Sequence, residues 1–177
     1  MKGMSGLLYD MLVFRQRNDE TIAAKRSVRV AAYSDKQKAI WEKFKLAASY
    51  AKAAVSDPVT KAAYKAIAGK GQSAYNRAFA DFFRPAEIGA PDTSAYIGVV
   101  GGKIRIPVTD DYKVVSVEVK IFKADDTPIE SGLAIADADG LHWVYTATQA
   151  NAALAGTKIS VIAKDAPANL TVKDIVL

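Results

Sequence analysis

The spacing of apolar residues changes at Arg84-Pro85, and this change limits the folds that are open to the chain. Before it, apolar residues recur every three or four positions among alanines and basic residues, which is typical of amphipathic helices. After it, β-branched residues alternate with polar ones between acidic turns, which is typical of strands. The sequence therefore predicts an α+β fold, with a helical part followed by an all-β part.

The charge of the chain divides near the same place. Residues 1–90 carry 16 Lys and Arg against 8 Asp and Glu, a balance of +8, and residues 91–177 carry 8 against 11, a balance of −3. Opposite charges favour contact between the two halves or between copies of the chain. The basic half can equally attract an acidic partner.

The composition is typical of a globular protein with an apolar core, because half of the 177 residues are apolar and a quarter are charged. The absence of cysteine excludes disulfides and thiolate catalysis. Asp10 interrupts the apolar run from Leu7 to Phe14, which is too short to span a membrane or to serve as a secretory leader. We expect a cytoplasmic protein, or part of a particle assembled from the cytoplasm, with no membrane partner.

Residues 1–84 are predicted to form a hairpin-plus-helical module. Two strands around the turn Asn18-Asp19 predict a β-hairpin, which is marginal alone and must pack on something. About three α-helices follow, with predicted N-caps at Ser34, Asp57 and Ser73. The first helix carries an apolar stripe that includes Ile40, Trp41, Phe44, Ala47, Ala48, Ala51, Ala54 and Val55, and this stripe is expected to be buried.

Residues 85–94 contain two prolines and are predicted to be a short linker. Residues 95–177 are predicted to form a β-sandwich, because short alternating segments are separated by turn-forming residues. The predicted strands are 96–100, 103–109, 114–122, 129–136, 141–147, 158–163 and 170–176.

The strand half resembles a bacterial immunoglobulin-like domain. The resemblance is carried by the Val-rich strand after an acidic turn at 109–119, the Trp-Val-Tyr-Thr strand at 143–146 and the segment Ala-Lys-Asp-Ala-Pro-Ala-Asn at 163–169. It implies an immunoglobulin-like sandwich for residues 95–177 but specifies no activity. The first half is similar in layout to uncharacterised bacterial hairpin-plus-helices proteins that carry Ser-Ala-Tyr-Asn, here at 73–76, and this resemblance implies no activity either.

A set of basic residues on the predicted hairpin and its exit marks the candidate contact surface. Its members are Arg15, Arg17, Lys25, Arg26 and Arg29. They can face another subunit, or they can bind nucleic-acid phosphates with help from a stacking aromatic residue.

No constellation in the sequence predicts a catalytic, cofactor-binding or metal site. His142 is the only histidine and has no recognisable partners for a triad or a zinc site. The run from Gly69 to Ser73 lacks the spacing of a phosphate-binding loop. Asp137 and Asp139 begin like a calcium loop, but Thr148 stands where an EF-hand has its closing Glu. The turns of a sandwich can still bring several carboxylates together at one end, so a calcium site there is kept as the alternative to solvated turns.

These observations predict a non-enzymatic structural subunit, without cofactor or small-molecule substrate, that self-assembles into a homo-oligomer, filament or particle. The alternative is a nucleic-acid-binding protein that uses the basic hairpin, with the sandwich as a partner-binding module. A third possibility, surface adhesion by the sandwich, requires export.

Overall fold

The structure is a computed structural model that describes residues 6–8, 11–17, 20–25 and 33–177. In chain order its elements are β1 (Gly6–Leu8), β2 (Leu12–Arg17), β3 (Glu20–Lys25), α1 (Asp35–Ser56), α2 (Pro58–Ala66), α3 (Ala74–Asp81), β4 (Glu87–Ile88), β5 (Lys103–Thr109), β6 (Val114–Phe122), β7 (Pro128–Leu133), β8 (Ile135–Ala136), β9 (His142–Thr146), β10 (Lys158–Asp165) and β11 (Leu170–Val176). The predicted α+β class is confirmed. The chain divides into two compact units, Met1–Ile40 and Trp41–Leu177.

The first unit contains an antiparallel sheet in the order β1-β2-β3. Strands β2 and β3 lie where the sequence predicts the hairpin, with Leu12 opposite Lys25 and Arg15 opposite Ile22. The sequence did not predict β1, which pairs with β2. With three residues, β1 is too short for a pattern of alternation to be recognised. The turn residues Asn18 and Asp19 lie outside the described residues.

Capping contacts are present at all three predicted helix starts. The Ser34 hydroxyl accepts a hydrogen bond from the N–H of Gln37 at 3.3 Å, and the Ser34 N–H donates to the Gln37 side chain at 3.0 Å. The side chains of Asp57 and Ser73 each accept from the N–H three residues later. Each cap satisfies a backbone donor that the first helical turn would otherwise leave unpaired.

The apolar stripe of α1 is buried only in its second half. Three of its alanines are buried, namely Ala47, Ala51 and Ala54, and the last two belong to a small helical core with Tyr64. Trp41 and Phe44, which the sequence predicts to be buried, remain 57% and 48% exposed. The reason is length, since α1 has 22 residues whereas α2 and α3 have 9 and 8 and cover only part of it.

Two four-stranded antiparallel sheets form the strand half, in the orders β11-β10-β6-β7 and β4-β5-β9-β8. Alternate residues of both sheets contribute to one apolar core. Its fully buried members include Ile104, Ile106, Val117, Val119, Ile121, Ile159 and Val161. The two sheets therefore pack on each other like the layers of a sandwich.

Three strand predictions are wrong in detail. Residues 96–100 form a loop, because Gly98 and Gly101 have φ of +79° and +89° and interrupt the extended backbone. The expected strand 129–136 is divided at Ala134 into β7 and β8, which belong to different sheets. Val115 was expected to point inward, but a register shift in the pairing of β6 with β10 leaves it unpaired and exposed.

In the second unit the helices contact the sandwich directly. The Tyr64 ring lies 4.0 Å, centroid to centroid, from that of Tyr112 in the turn after β5. The side-chain amide of Asn169 donates to the carbonyl of Phe82 at 3.3 Å. Residues 85–94, predicted as a linker, contain β4, which pairs with β5. The connection between helices and sandwich is thus itself part of a sheet.

Candidate interaction surfaces

The basic residues predicted to contact a partner do not share one face of the N-terminal sheet. Arg15 lies opposite Ile22, and Lys25 lies opposite Leu12. Because successive residues of a strand point to opposite faces, Arg15 and Lys25 lie on opposite faces of the sheet. Of the other predicted residues, Arg17 ends β2, and Arg26 and Arg29 fall outside the described residues.

The N-terminal sheet lacks a core of its own in the part that the structure describes. None of the described side chains of Met1–Ile40 is buried. Val13 and Phe14 are half-buried, whereas Leu12 and Ile22 are 38% and 43% exposed. A small sheet of three strands needs a hydrophobic face, or packing against a helix, for independent stability. The described residues of this unit therefore form no apolar core among themselves.

The acidic turns of the sandwich are largely engaged within the chain. The Asp111 carboxylate accepts a hydrogen bond from Arg84 at 2.7 Å and lies 3.3 Å from the guanidinium of Arg77. The bond from Arg84 is the main cause that lowers the pKa of Asp111. Asp110 and Asp125 accept hydrogen bonds from backbone N–H groups of their own turns. These carboxylates stabilise turns and the contact between helices and sandwich.

His142 belongs to a cluster of polar side chains at the turn that precedes β9. Its Nδ1 is 2.7 Å from the carboxylate of Asp139, which also accepts from Arg105 at 2.7 Å. Backbone N–H groups of Leu141 and His142 donate to the same carboxylate and lower the pKa of Asp139 to about 2. Each of these contacts fixes the turn that leads into β9. A structural role explains the cluster.

A buried polar network, which the sequence did not reveal, connects the three helices. The Tyr64 hydroxyl donates to the Asp81 carboxylate at 2.7 Å and lies 2.6 Å from the Tyr50 hydroxyl. Asp81 is fully buried, and this burial raises its pKa to about 6 although the bond from Tyr64 opposes the shift. Burial raises the pKa of Tyr64, and the hydrogen bond to Asp81 and the charge of Asp81 raise it further. The network holds the three helices together around the buried Asp81 carboxyl group.

One end of the sandwich is apolar, and we call residues 95–102 with 147–156 the sandwich tip. Three of its side chains, Ile97, Val99 and Val100, are exposed to 63%, 50% and 63%. Contiguous exposed apolar side chains of this kind mark contact surfaces more often than isolated ones do. The sequence did not indicate this surface, because the alternation at residues 96–100 predicted a strand.

Backbone contacts fix the conformation of the sandwich tip. The Gly101 N–H donates to the Ala147 carbonyl at 2.8 Å, and the Asn151 N–H donates to the Gly98 carbonyl at 2.9 Å. Tyr96, between the exposed residues and the preceding turn, is buried in the sandwich core. The backbone that carries the exposed aliphatic side chains of the tip is thus hydrogen-bonded to the rest of the sandwich.

Within the described residues, no group of three or more His, Cys, Asp or Glu is placed to hold a metal ion. No helix in the described part of the chain has the length and apolar character to cross a membrane. No protein-family model, curated protein or solved structure matches the chain.

Proposed function

We propose that the protein is a non-enzymatic structural subunit that associates with copies of itself into a homo-oligomer, filament or particle. The observation that carries this proposal is the N-terminal sheet without a buried side chain among its described residues. Such a sheet gains stability when a second apolar face covers it. In a two-fold contact the same sheet of a second copy supplies that face.

The face that carries Leu12, Phe14 and Ala23 is the better candidate for this contact. Register places Phe14 opposite Ala23, and Leu12 lies two residues earlier on the same face. Lys25 also lies on this face, at the end of β3 opposite Leu12. The other face carries Arg15 near the middle of β2, beside Ile22, so two copies meeting through it would bring arginines into the centre of the contact.

Substitution of two adjacent alanines in β3 tests the proposal. Ala23→Arg places a charge on the proposed contact face, and Ala24→Arg places the same charge on the opposite face. We expect Ala23→Arg to weaken association at least about tenfold, which corresponds to about 1.4 kcal/mol, and Ala24→Arg to have little effect. Size-exclusion chromatography with light scattering, over a range of concentrations and at two salt concentrations, measures this. A wild-type monomer under every condition would refute the proposal.

We also propose that the sandwich is immunoglobulin-like, and that the assembly forms in the cytoplasm. Two four-stranded antiparallel sheets around one core support the first point. Sandwiches of this kind serve as spacers and assembly modules, which agrees with a structural role.

Nucleic-acid binding remains the competing proposal, and the geometry favours it less. Phosphate contacts add up when basic side chains line one surface, whereas Arg15 and Lys25 lie on opposite faces. A mobility-shift assay separates the two functions. Binding that weakens steeply with salt and is lost in Arg15→Ala would support nucleic-acid binding over assembly.

A further inference from the structure

We propose that the junction between the helices and the sandwich is a proton-dependent contact, which is tight when Asp81 carries a proton and weaker when Asp81 is ionised. The junction lies within the second unit and includes the ring contact of Tyr64 with Tyr112 and the pairing of Arg84 with Asp111. The inference does not depend on self-association. It assigns a binding site for one proton and a conformational consequence of its loss.

The Asp81 carboxyl group is buried where a charge is costly. Asp81 is the last residue of α3 and is fully buried. One of its oxygens accepts from the Tyr64 hydroxyl at 2.7 Å, whereas Oδ1 is buried and has no hydrogen-bond partner among the described residues. A buried carboxylate without a full set of hydrogen bonds carries an uncompensated cost of removal from water, and a proton removes that charge. This geometry favours the protonated form.

Asp81 faces the turn that follows β5. Arg77 and Asp81 lie four residues apart on α3 and therefore on the same face of the helix. The Arg77 guanidinium donates to the carbonyl of Asp111 in that turn at 3.0 Å. Asp110, which begins the turn, accepts from two backbone N–H groups through Oδ1, while its Oδ2 is buried and has no partner in the described part of the chain. A second carboxyl group with a buried free oxygen thus belongs to the same junction.

The charges at the junction are unbalanced when Asp81 is ionised. Its titratable and charged side chains come from every element packed there, namely Tyr50 of α1, Tyr64 of α2, Arg77 and Asp81 of α3, Arg84 after α3, Asp110, Asp111 and Tyr112 of the turn, and Asp165 of β10. Both arginines are already paired with Asp111, at 3.3 and 2.7 Å. With the other acids ionised, the set has a balance of −1 when Asp81 is protonated and −2 when it is not. The additional charge is repelled by Asp110 and Asp165 of the sandwich, which weakens the contact.

The pKa of Asp81 agrees with this geometry. Burial is the main cause that raises the pKa of Asp81 to about 6, the charges of Asp110 and Asp165 also raise it, and the bond from Tyr64 and the charge of Arg77 oppose the shift. This folded value lies above the value of about 4 expected in the unfolded chain. The stabilisation is therefore complete below about pH 4 and is lost as the pH rises through about 6.

Hydrogen exchange of the full-length protein at about pH 5 and about pH 7.5, corrected for intrinsic exchange rates, tests the inference. The folded pKa of about 6 predicts an about tenfold loss of protection between these pH values for openings that expose Asp81. We expect this loss both in α3 and in the turn at residues 111–113, because loosening of the junction exposes both. Asp81→Asn should remove most of it. Loss confined to α3, or no loss in wild type, would refute the proposal.

Asp110→Asn separates the charge of the sandwich from the effect of burial alone. The amide keeps the oxygen that accepts from the two backbone N–H groups and removes the negative charge. We expect the titration midpoint of the Asp81 carboxyl carbon, followed by ¹³C NMR, to fall by about one pH unit. Asp125→Asn is the matched control, since Asp125 also accepts from a backbone N–H of its own turn, and it should leave the midpoint unchanged.

An unchanged Asp81 midpoint in folded Asp110→Asn would overturn the proposal, because the sandwich would then have no influence on the proton. If Asp110→Asn does not fold, the exchange comparison of α3 with the turn in wild type decides the inference.

Discussion

Gly98 is required by the backbone conformation of the sandwich tip. Its φ of +79° is unfavourable for other residues, and a Cβ would clash with the carbonyl oxygen of Asn151. Gly140 has a similar φ of +71° with no heavy atom near the Cβ position, so it serves as a matched control. We expect Gly140→Ala to lower the free energy of unfolding by about 1–2 kcal/mol. Gly98→Ala should cost at least about 1 kcal/mol more. Equal costs in urea denaturation would contradict the close approach at Gly98.

Asp81 makes the stability of the helical core depend on pH. Its folded pKa of about 6 lies above the value of about 4 expected in the unfolded chain. The folded state therefore binds the proton more tightly, and the free energy of unfolding decreases as the pH rises from about 4 to about 6. The decrease that Asp81 causes is on the order of 2–3 kcal/mol and persists above pH 6. The groups around it are Tyr50, Tyr64, Arg77, Asp110 and Asp165.

Asp81→Asn tests this dependence, because the amide oxygen can still accept from Tyr64 while the titration is removed. We expect the stability of the variant, relative to wild type, to increase between pH 4 and pH 7. Urea denaturation at both pH values measures the difference. Asp126→Asn, at an exposed turn position, serves as the control for the amide substitution itself. Parallel pH curves for Asp81→Asn and wild type would contradict the assignment.

Elements specified by nearby residues were predictable from the sequence, and elements specified by distant contacts were not. The helix starts at Ser34, Asp57 and Ser73 were predicted because a cap depends on residues within one turn. Strand β5 was predicted because its alternation continues for seven residues. The loop at 96–100 was not, since its alternation is indistinguishable from that of a strand. Its form depends on contacts with residues 147 and 151, about fifty positions later.

The same difference between nearby and distant contacts decided which parts of the candidate surfaces were predictable. The sequence identified Arg15 and Lys25 by type, but only the pairing of β2 with β3 shows that they occupy opposite faces. The Asp81 network was missed because Tyr64 lies 17 residues away and no local pattern connects the two. Burial at the end of α3 is decided by the packing of α3 against its neighbours, and that packing has no signature in the sequence around Asp81.

The whole second unit, Trp41–Leu177, is expected to unfold in one cooperative transition. The helices and the sandwich share the Tyr64–Tyr112 ring contact and the ion pair between Arg84 and Asp111. In a Trp41→Phe variant, the fluorescence of the remaining tryptophan, Trp143, reports the sandwich, and the far-ultraviolet helical signal reports the helices.

The two urea transitions should coincide, and Tyr112→Ala should shift both midpoints downward together because it removes a contact that both parts share. Val115→Ala, at an exposed position on β6, serves as the control, and we expect it to change both urea midpoints only slightly. Loss of the helical signal before the fluorescence change would instead mean that the sequence boundary at Arg84-Pro85 separates two independently folding parts.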